Sequence, residues 1–386
     1  VRWNWQDPDW PSFRFRENLL ADRERLFLQQ SGVVVGIVRH VPDEERQLLI
    51  IDLIGTEALK TSEIEGEMLD RDSVQSSLRR QFGLQVDAGR AAPAEEGIAE
   101  MLGDLYRRWA DPLDDATLFQ WHRWLMKGRG DLAVVGNYRK HPEPMQVVSG
   151  RIDKPKIHFE APPSSSVAAE MNRFCRWFNT TSPTGKTPLP ALTRAGLAHL
   201  YFETIHPFED GNGRIGRAIS EKALAQGAGQ PSLTALSLLI QRRRNDYYAQ
   251  LEAANKTLDV DHWLDWFASV VLAAQAHTVK GLDFLLATSR LWDRLRGQLN
   301  PRQDKALSRL MRAGIDGFIG GLSASTYMGI TGAPAATARR DLGHLVELGA
   351  LRRTGQLKGT RYWLPHAKIV GDGNLRVDDG HDSEPR

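Results

Sequence analysis

The stretch that most constrains this chain is twelve residues long: His206-Pro207-Phe208-Glu209-Asp210-Gly211-Asn212-Gly213-Arg214-Ile215-Gly216-Arg217. An apolar run at helical spacing leads into it through Leu192, Leu197, Leu200, Tyr201 and Ile205. Pro207 ends that helix or starts the turn, because its ring cannot continue a helix. Gly211 and Gly213 permit left-handed backbone, so the chain can curl and aim successive N–H groups at one point. A second helix is expected from near Ile215, its positive N-terminal end lying at the bend. Arg214 and Arg217, three apart, share one face of its first turn. Asp210 offers a hard oxygen donor suited to Mg²⁺. The bend thus gathers an anion nest, two arginines, one carboxylate and one histidine. That set suits a polyphosphate–Mg²⁺ complex with a base beside it, and a plain interhelical turn would need neither both glycines nor both arginines.

Two other phosphate motifs fail on context. Gly211, Gly213 and Gly216 satisfy GxGxxG, but a dinucleotide fingerprint needs a strand before it, and residues 190–205 read as helix. Gly185-Lys186-Thr187 resembles the end of a P-loop, but the first glycine would fall on Thr180 and prolines crowd the helix start. A solvated loop is expected there.

The chain has 386 residues, which sets a prior of two or three domains at roughly 150 residues each. Apolar residues at 41% and charged residues at 25% are ordinary globular values, so wholesale disorder is excluded. A net charge of +2 means that any basic patch is local. With Cys175 as the sole cysteine, neither a disulfide framework nor a cysteine-rich zinc site can form within the chain. No HExxH and no convergent His/Cys set occurs. His158 and His199 are expected to be packed or hydrogen-bonded. The opening VRWNWQDPDWPSF does not read as a signal peptide. No unbroken apolar run of about 18 residues predicts a membrane span, so no membrane contact and a cytoplasmic location are the expectation.

Trp3, Trp5 and Trp10 among prolines read as a terminal arm docked on a core. Helical periodicity runs from Leu48 past Glu65, from Ile98 to about Trp124, from Val167 to Phe178, from Ile215 to Leu224, from Ser232 to Ala254 and from His262 to Leu295. Residues 87–97 read as a loop. Pro190 suits a helix first turn. Met145–Val148 and Lys156–Phe159 flank a turn-rich stretch and read as a β-hairpin. Residues 303–348 read as three short helices and Leu351–Leu364 as a hairpin, the layout of a winged helix-turn-helix. Leu299 to Pro365 holds ten Lys/Arg against four Asp/Glu. The tail from Val370 is polar and rich in Gly and Asp, so disorder is expected.

HPFEDGNGRIGR resembles the Fic-domain signature HxFx(D/E)GNGRxxR at every defined position. Val147-Val148-Ser149-Gly150 to Ile157–Pro162 is similar to that family's flap over its active site. Tyr247–Asn255 resembles its downstream YYxxLexAN stretch, and Thr61–Gly66 fits its inhibitory motif (S/T)xxxE(G/N). The N-terminal aromatic segment is similar to a small domain found ahead of Fic cores. These stretches cover about residues 1–290.

The resemblance implies a mostly α fold: a Fic-type helical core with a β-hairpin flap, an N-terminal helical domain and a C-terminal winged helix-turn-helix. The implied boundaries are 1–90, 91–290, 291–365 and a tail at 366–386. It implies an enzyme that moves AMP from ATP to a protein Tyr, Thr or Ser hydroxyl. His206 would be the general base, with an unperturbed pKa near ~6.5 suited to neutral pH. Asp210 would hold Mg²⁺. Gly211, Asn212 and Gly213, with Gly216 behind them, would cradle phosphates. Arg214 would meet the β-phosphate and Arg217 the γ-phosphate. Val148, Ser149 and Gly150 of the flap would fix the substrate segment by strand addition. Tyr247 and Asn255 would lie near adenine and ribose. Glu65, one helical turn beyond Thr61, would pair with Arg217 in the γ-phosphate's place and inhibit the enzyme.

Alternatives remain at this point. The same site could remove AMP from a modified protein, with Glu65 orienting a water. Transfer of another nucleotide also fits, whereas kinase-type relatives with a degenerate loop are disfavoured by Gly213. In another class, the chain could be a DNA-binding regulator with a sensor core. Arg339, Arg340, Arg352, Arg353, Lys358 and Arg361 would then contact phosphates; a protein-docking module fits the same residues. The expected partners are ATP and a target protein, the chain itself included, with a homodimer and DNA as further options.

Overall fold

The computed structural model describes residues 2–85, 91–151, 154–314 and 320–365. The expected tail at 366–386 lies outside them. After a short 3₁₀ turn at Asn4–Gln6 come α1 (Ala21–His40), α2 (Asp43–Ile64), α3 (Arg71–Gln81), α4 (Pro93–Arg107) and α5 (Asp115–Leu125). The antiparallel pair β1 (Gln146–Arg151) and β2 (Lys154–Glu160) follows. Then come α6 (Ser164–Thr180), α7 (Ala191–Ile205), α8 (Asn212–Ala228), α9 (Leu236–Arg242), α10 (Arg244–Ala254) and α11 (Asp261–Leu295). The last elements are α12 (Pro301–Arg312), α13 (Ala324–Thr331), α14 (Ala335–Glu347) and the antiparallel pair β3 (Arg352–Thr354) and β4 (Arg361–Trp363). The fold is mostly α, as the sequence predicts. The chain divides into two compact units, residues 1–278 and 279–386, with the division inside α11.

The first unit is built around α7. Every residue from Ala191 to Ile205 is buried, which is the mark of a helix apolar on all sides. The neighbouring α8 packs along it, with Ile215, Ala218, Ile219, Ala223 and Leu224 in the same core. The corner between them is the motif at 206–211. Other helices start where the sequence supplies a cap. Asp70 accepts from the Ser73 N–H and Asp114 from the Thr117 N–H, each satisfying a donor that the first turn would leave bare.

Several helices differ in extent from their periodicity. The Ser232–Ala254 run is two helices, because α9 ends at Arg242 and α10 restarts at Arg244. The run from Ile98 to Trp124 is likewise broken at 108–114, where Asp111, Pro112 and Leu113 cannot hold a helix. Pro190 is the N-cap of α7, one residue outside it. The 35-residue α11 is long and apolar enough to cross a membrane by length and composition alone. Its first half, from Trp263 to Ala274, sits in the core of the first unit, so the periodicity here reports a buried helix.

The N-terminal arm is docked as expected. Trp10 lies edge-on to Tyr201 with centroids 5.1 Å apart, and the Trp5 indole N–H donates to the Glu160 carbonyl at 2.7 Å. In the second unit, Asp341 ties three helices together: it accepts from Asn300 and Arg302 and from the Tyr327 hydroxyl at 3.0 Å.

Among the described glycines of the first unit the tightest backbone approach is at Gly97 of α4, where a Cβ would lie 1.9 Å from the Trp124 carbonyl oxygen of α5. Gly97→Ala therefore has to push α4 and α5 apart. We expect it to cost about 1–3 kcal/mol despite alanine's better helix propensity. A lower urea midpoint at unchanged slope would show it.

Candidate functional site

The bend between α7 and α8 opens onto a cavity of about 570 Å³. The flap β1–β2, α10 and the end of α2 supply its other walls, through Val148 and Ser149, Tyr247 and Asn255, and Glu65. His206 borders it from the C-terminal end of α7 in a left-handed conformation, φ 50° and ψ 59°. A non-glycine residue held there costs about 1–2 kcal/mol and persists where the surroundings impose it. Arg139 imposes it. This buried guanidinium donates to the carbonyls of His206 at 2.8 Å, Pro162 at 2.6 Å and Ile205 at 3.3 Å, and to Ser164 Oγ at 2.9 Å. The Arg139 backbone N–H donates to the Pro207 carbonyl at 2.9 Å. Burial and the adjacent Arg139 charge push His206 down to about 4. The ring is thus neutral at pH 7, further toward the base form than its ordinary value predicts. Nδ1 faces the Glu203 carbonyl at 3.4 Å, which leaves Nε2 as the free nitrogen.

Asn212 staples the bend. Its side chain accepts the Phe208 N–H at 2.9 Å and donates to the Phe208 carbonyl at 2.8 Å. That amide is therefore occupied. The second helix starts at Asn212 and not near Ile215, so the first-turn N–H groups of α8 lie within the motif, where no intrahelical acceptor exists. Gly211 has φ 82°, but Gly213 is helical. At Gly213 a Cβ would stand 2.2 Å from Glu65 Oε1, so a side chain there would displace the end of the Glu65 side chain. At Gly216 a Cβ would meet Glu203 Oε1 at 2.4 Å, so its bareness makes room for a neighbouring carboxyl. Burial, then the Glu65 charge, raises that carboxyl to about 8.

Both motif arginines are buried, with side chains 3% and 1% exposed for Arg214 and Arg217. Arg217 donates to Glu65 Oε1 at 2.7 Å, to Thr61 Oγ1 at 2.7 Å and to the Thr61 carbonyl at 2.9 Å. Burial lowers its pKa, yet the Glu65 charge outweighs that and holds it above the ordinary range. Glu65 is the C-cap of α2, just beyond the helix that the sequence extends through it. Arg214 pairs with Glu67 at 2.5 Å, a contact that periodicity does not reveal. Of the three glutamates in this segment, Glu63 is paired elsewhere, with Lys60 and Gln241.

Asp210 borders the cavity at 37% side-chain exposure, with Arg129 Nη1 at 2.7 Å and Arg214 Nη2 at 3.5 Å. Burial raises its carboxyl, but the Arg129 bond and the Arg214 charge prevail and keep it below the ordinary range. Among the described residues no cluster of three or more His, Cys, Asp or Glu could hold a metal. A Mg²⁺ here fits in one way, with Asp210 as its protein ligand and phosphate oxygens and water completing the shell.

In the flap, Val148 is half exposed and Ser149 Oγ meets His158 Nε2 at 2.6 Å. His158 in turn pairs with Glu252 at 2.8 Å. Gly150 follows in β1, in register with Pro155. Tyr247 is buried, its hydroxyl 2.8 Å from His199 Nε2. Asn255 accepts from Thr204 Oγ1 at 3.3 Å and its carbonyl accepts the Asn4 N–H at 2.7 Å. The bend, Glu65, Val148, Ser149, Tyr247 and Asn255 thus meet around one space. Arg139, Arg129, Glu203, Glu67 and Arg244 also belong to its surroundings. Glu203 lies one helical turn before His206 on α7; the others reach their partners across long stretches of chain, which no local signal marks.

Residues 112–224 match the family model for the Fic/DOC family. The chain carries a Fic/DOC domain. Ahead of it, residues 3–84 match a domain of unknown function, DUF4172. Proteins named protein adenylyltransferase Fic are similar to the chain: 32% identical in Drosophila yakuba and 31% in Drosophila melanogaster, over 153 residues each. Those 153 residues are 39% of this chain and 28% of each relative's length. A solved Fic family protein from Desulfovibrio desulfuricans shares the fold at 22% identity and a TM-score of 0.50, over 94% of this chain and 99% of that one. A Fic-domain signaling protein from Bacteroides thetaiotaomicron does so at 18% and 0.51, over 67% and 97%.

The Fic domain's bend is thus held from outside the motif. Replacing Arg139 with methionine leaves the carbonyls of Ile205, His206 and Pro162 buried without their donor. We expect Arg139→Met to lower stability by about 2–4 kcal/mol, since each unsatisfied buried group costs about 1–3. Guanidinium unfolding followed by tryptophan fluorescence measures it.

Proposed function

We propose that this chain is a protein adenylyltransferase that moves AMP from ATP to a hydroxyl of a target protein, the chain itself included, and that Glu65 restrains it. One observation carries this reading: a neutral histidine and the N-terminal turn of α8 border the same cavity, with two buried arginines beneath. His206 Nε2 takes the proton from the attacking Tyr, Thr or Ser hydroxyl. The oxygen bonds to the α-phosphorus, the bond to pyrophosphate breaks, and the electron pair leaves with pyrophosphate. The N–H groups of the first turn of α8, together with Arg214 and Arg217, receive the charge that builds on the phosphates. Mg²⁺ on Asp210 would neutralise phosphate charge when bound. The exposed edge at Val147 and Val148 holds the target segment as an added strand. Tyr247 and Asn255 face the nucleoside. Glu65 occupies Arg217 in the place of the γ-phosphate, so ATP must displace it.

Glu65→Gly should raise labelling of the chain by [α-³²P]ATP by about tenfold or more, and His206→Ala in that background should abolish it. Labelling left unchanged by Glu65→Gly would end the inhibition claim; labelling that survives His206→Ala would end the base assignment. Release of AMP from an adenylylated substrate by the unmodified chain would instead favour removal through the same pocket.

A second reading concerns the unit at 279–386. Arg339 and Arg340 are exposed on α14, and Arg353 and Lys358 are exposed on the hairpin beside it. These exposed basic side chains support nucleic acid as a partner of that unit. Fluorescence anisotropy with duplex DNA should show binding that weakens as salt rises, and Arg339→Ala with Arg340→Ala should flatten the slope. No binding at about 50 mM salt would leave a protein-docking role.

A further inference from the structure

We propose that Glu67 is a second inhibitory carboxylate, so that the turn closing α2 is a two-pronged latch that covers both phosphate-facing arginines. The inference rests on the adenylyltransferase reading above and assigns a role to a residue outside the (S/T)xxxE(G/N) motif.

The local chain geometry builds the latch. Helix α2 ends in a Schellman turn: the Glu67 N–H donates to the Ser62 carbonyl and the Gly66 N–H to the Glu63 carbonyl, both at 3.0 Å. Gly66 takes the left-handed position at φ 86°. This turn carries Glu65 and Glu67, two residues apart in sequence, to two arginines three apart on α8. Glu65 meets Arg217 at 2.7 Å and Glu67 meets Arg214 at 2.5 Å. Two negative charges thus stand against the two cationic side chains assigned to adjacent phosphates.

The arginines themselves show that more than a structural ion pair is present. Arg214 Nε and Arg217 Nη1 are buried with no hydrogen-bond partner. A buried donor left unpaired is costly, so the carboxylates occupy the guanidinium groups without saturating them. A phosphate, with more acceptor oxygens, can satisfy donors that a carboxylate leaves bare. The glutamate side chains keep 28% and 34% exposure for Glu65 and Glu67, so each can leave toward solvent when a ligand arrives. The two prongs also guard different phosphates. Arg217 is assigned to the γ-phosphate, and Arg214 to the β-phosphate. Glu67 therefore opposes any nucleotide with two phosphates or more, Glu65 opposes only the triphosphate, and neither opposes AMP.

That difference supplies the test. Dissociation constants of AMP, ADP and ATP, with Mg²⁺, are measured by calorimetry on the full chain as wild type, Glu65→Gln, Glu67→Gln and the double variant. Glu67→Ala serves as a second substitution, and thermal unfolding verifies the fold of each. Glu67→Gln should tighten ADP and ATP by about fivefold or more and leave AMP within about twofold. Glu65→Gln should tighten ATP alone, and the double variant should bind ATP tightest. If Glu67→Gln and Glu67→Ala leave ADP and ATP unchanged while Glu65→Gln tightens ATP, the second prong does not exist and the adenylyltransferase reading stands. An equal gain for AMP would also overturn it, because the effect would then be general charge. If no variant binds any of the three nucleotides, the adenylyltransferase reading and the latch fall together.

Discussion

A guanidinium stripped of water needs a counter-charge, and breaking such a buried pair costs about 3–5 kcal/mol. Arg214 and Arg217 lie almost wholly inside the first unit, so this requirement organises what surrounds them. It explains why the end of α2, over 140 residues earlier in the chain, closes on the first turn of α8. A methyl group at residue 213 would stand where the Glu65 carboxylate now lies. An anionic ligand entering the cavity competes for charges that the fold has already paired.

The bend itself is fixed by a different device. Arg139 ties the last carbonyls of α7 to the loop after the flap, and Asn212 ties the start of α8 back to Phe208. Phe208 stacks on His122 with ring centroids 4.2 Å apart, below the surface. Between them these contacts hold His206 in a backbone region that a histidine seldom takes. The same packing that buries α7 lowers the histidine's proton affinity, so fold stability and the chemistry of the site arise from one burial. The N-terminal arm extends the scheme: Trp3 lies edge-on to Phe159 with centroids 5.3 Å apart, and Asn4 bonds Asn255, so two walls of the cavity lean on the first five residues.

Much of this was legible beforehand because the relevant signals are local. Apolar residues at helical spacing set out α7 and α11, and the glycines, proline and charges of 206–217 set out the bend and the residue types gathered in it. Helix ends were read less well. The break between α9 and α10 has no proline or glycine to mark it, and α8 begins earlier than its apolar pattern because its first turn is made of motif residues. Gly213 was expected to supply a left-handed angle and instead supplies space, a distinction that depends on a carboxylate arriving from α2.

By itself the sequence determined the helical class, the corner between α7 and α8 and the residue types gathered there, because periodicity and turn chemistry act over a few residues. Only the tertiary structure decided that Glu67 faces Arg214, that Arg139 locks His206, that Asp210 is already paired with Arg129, and that the histidine is neutral well below its ordinary range. Each of these is a contact or a loss of solvent between residues distant in the chain, and neither is written in local spacing.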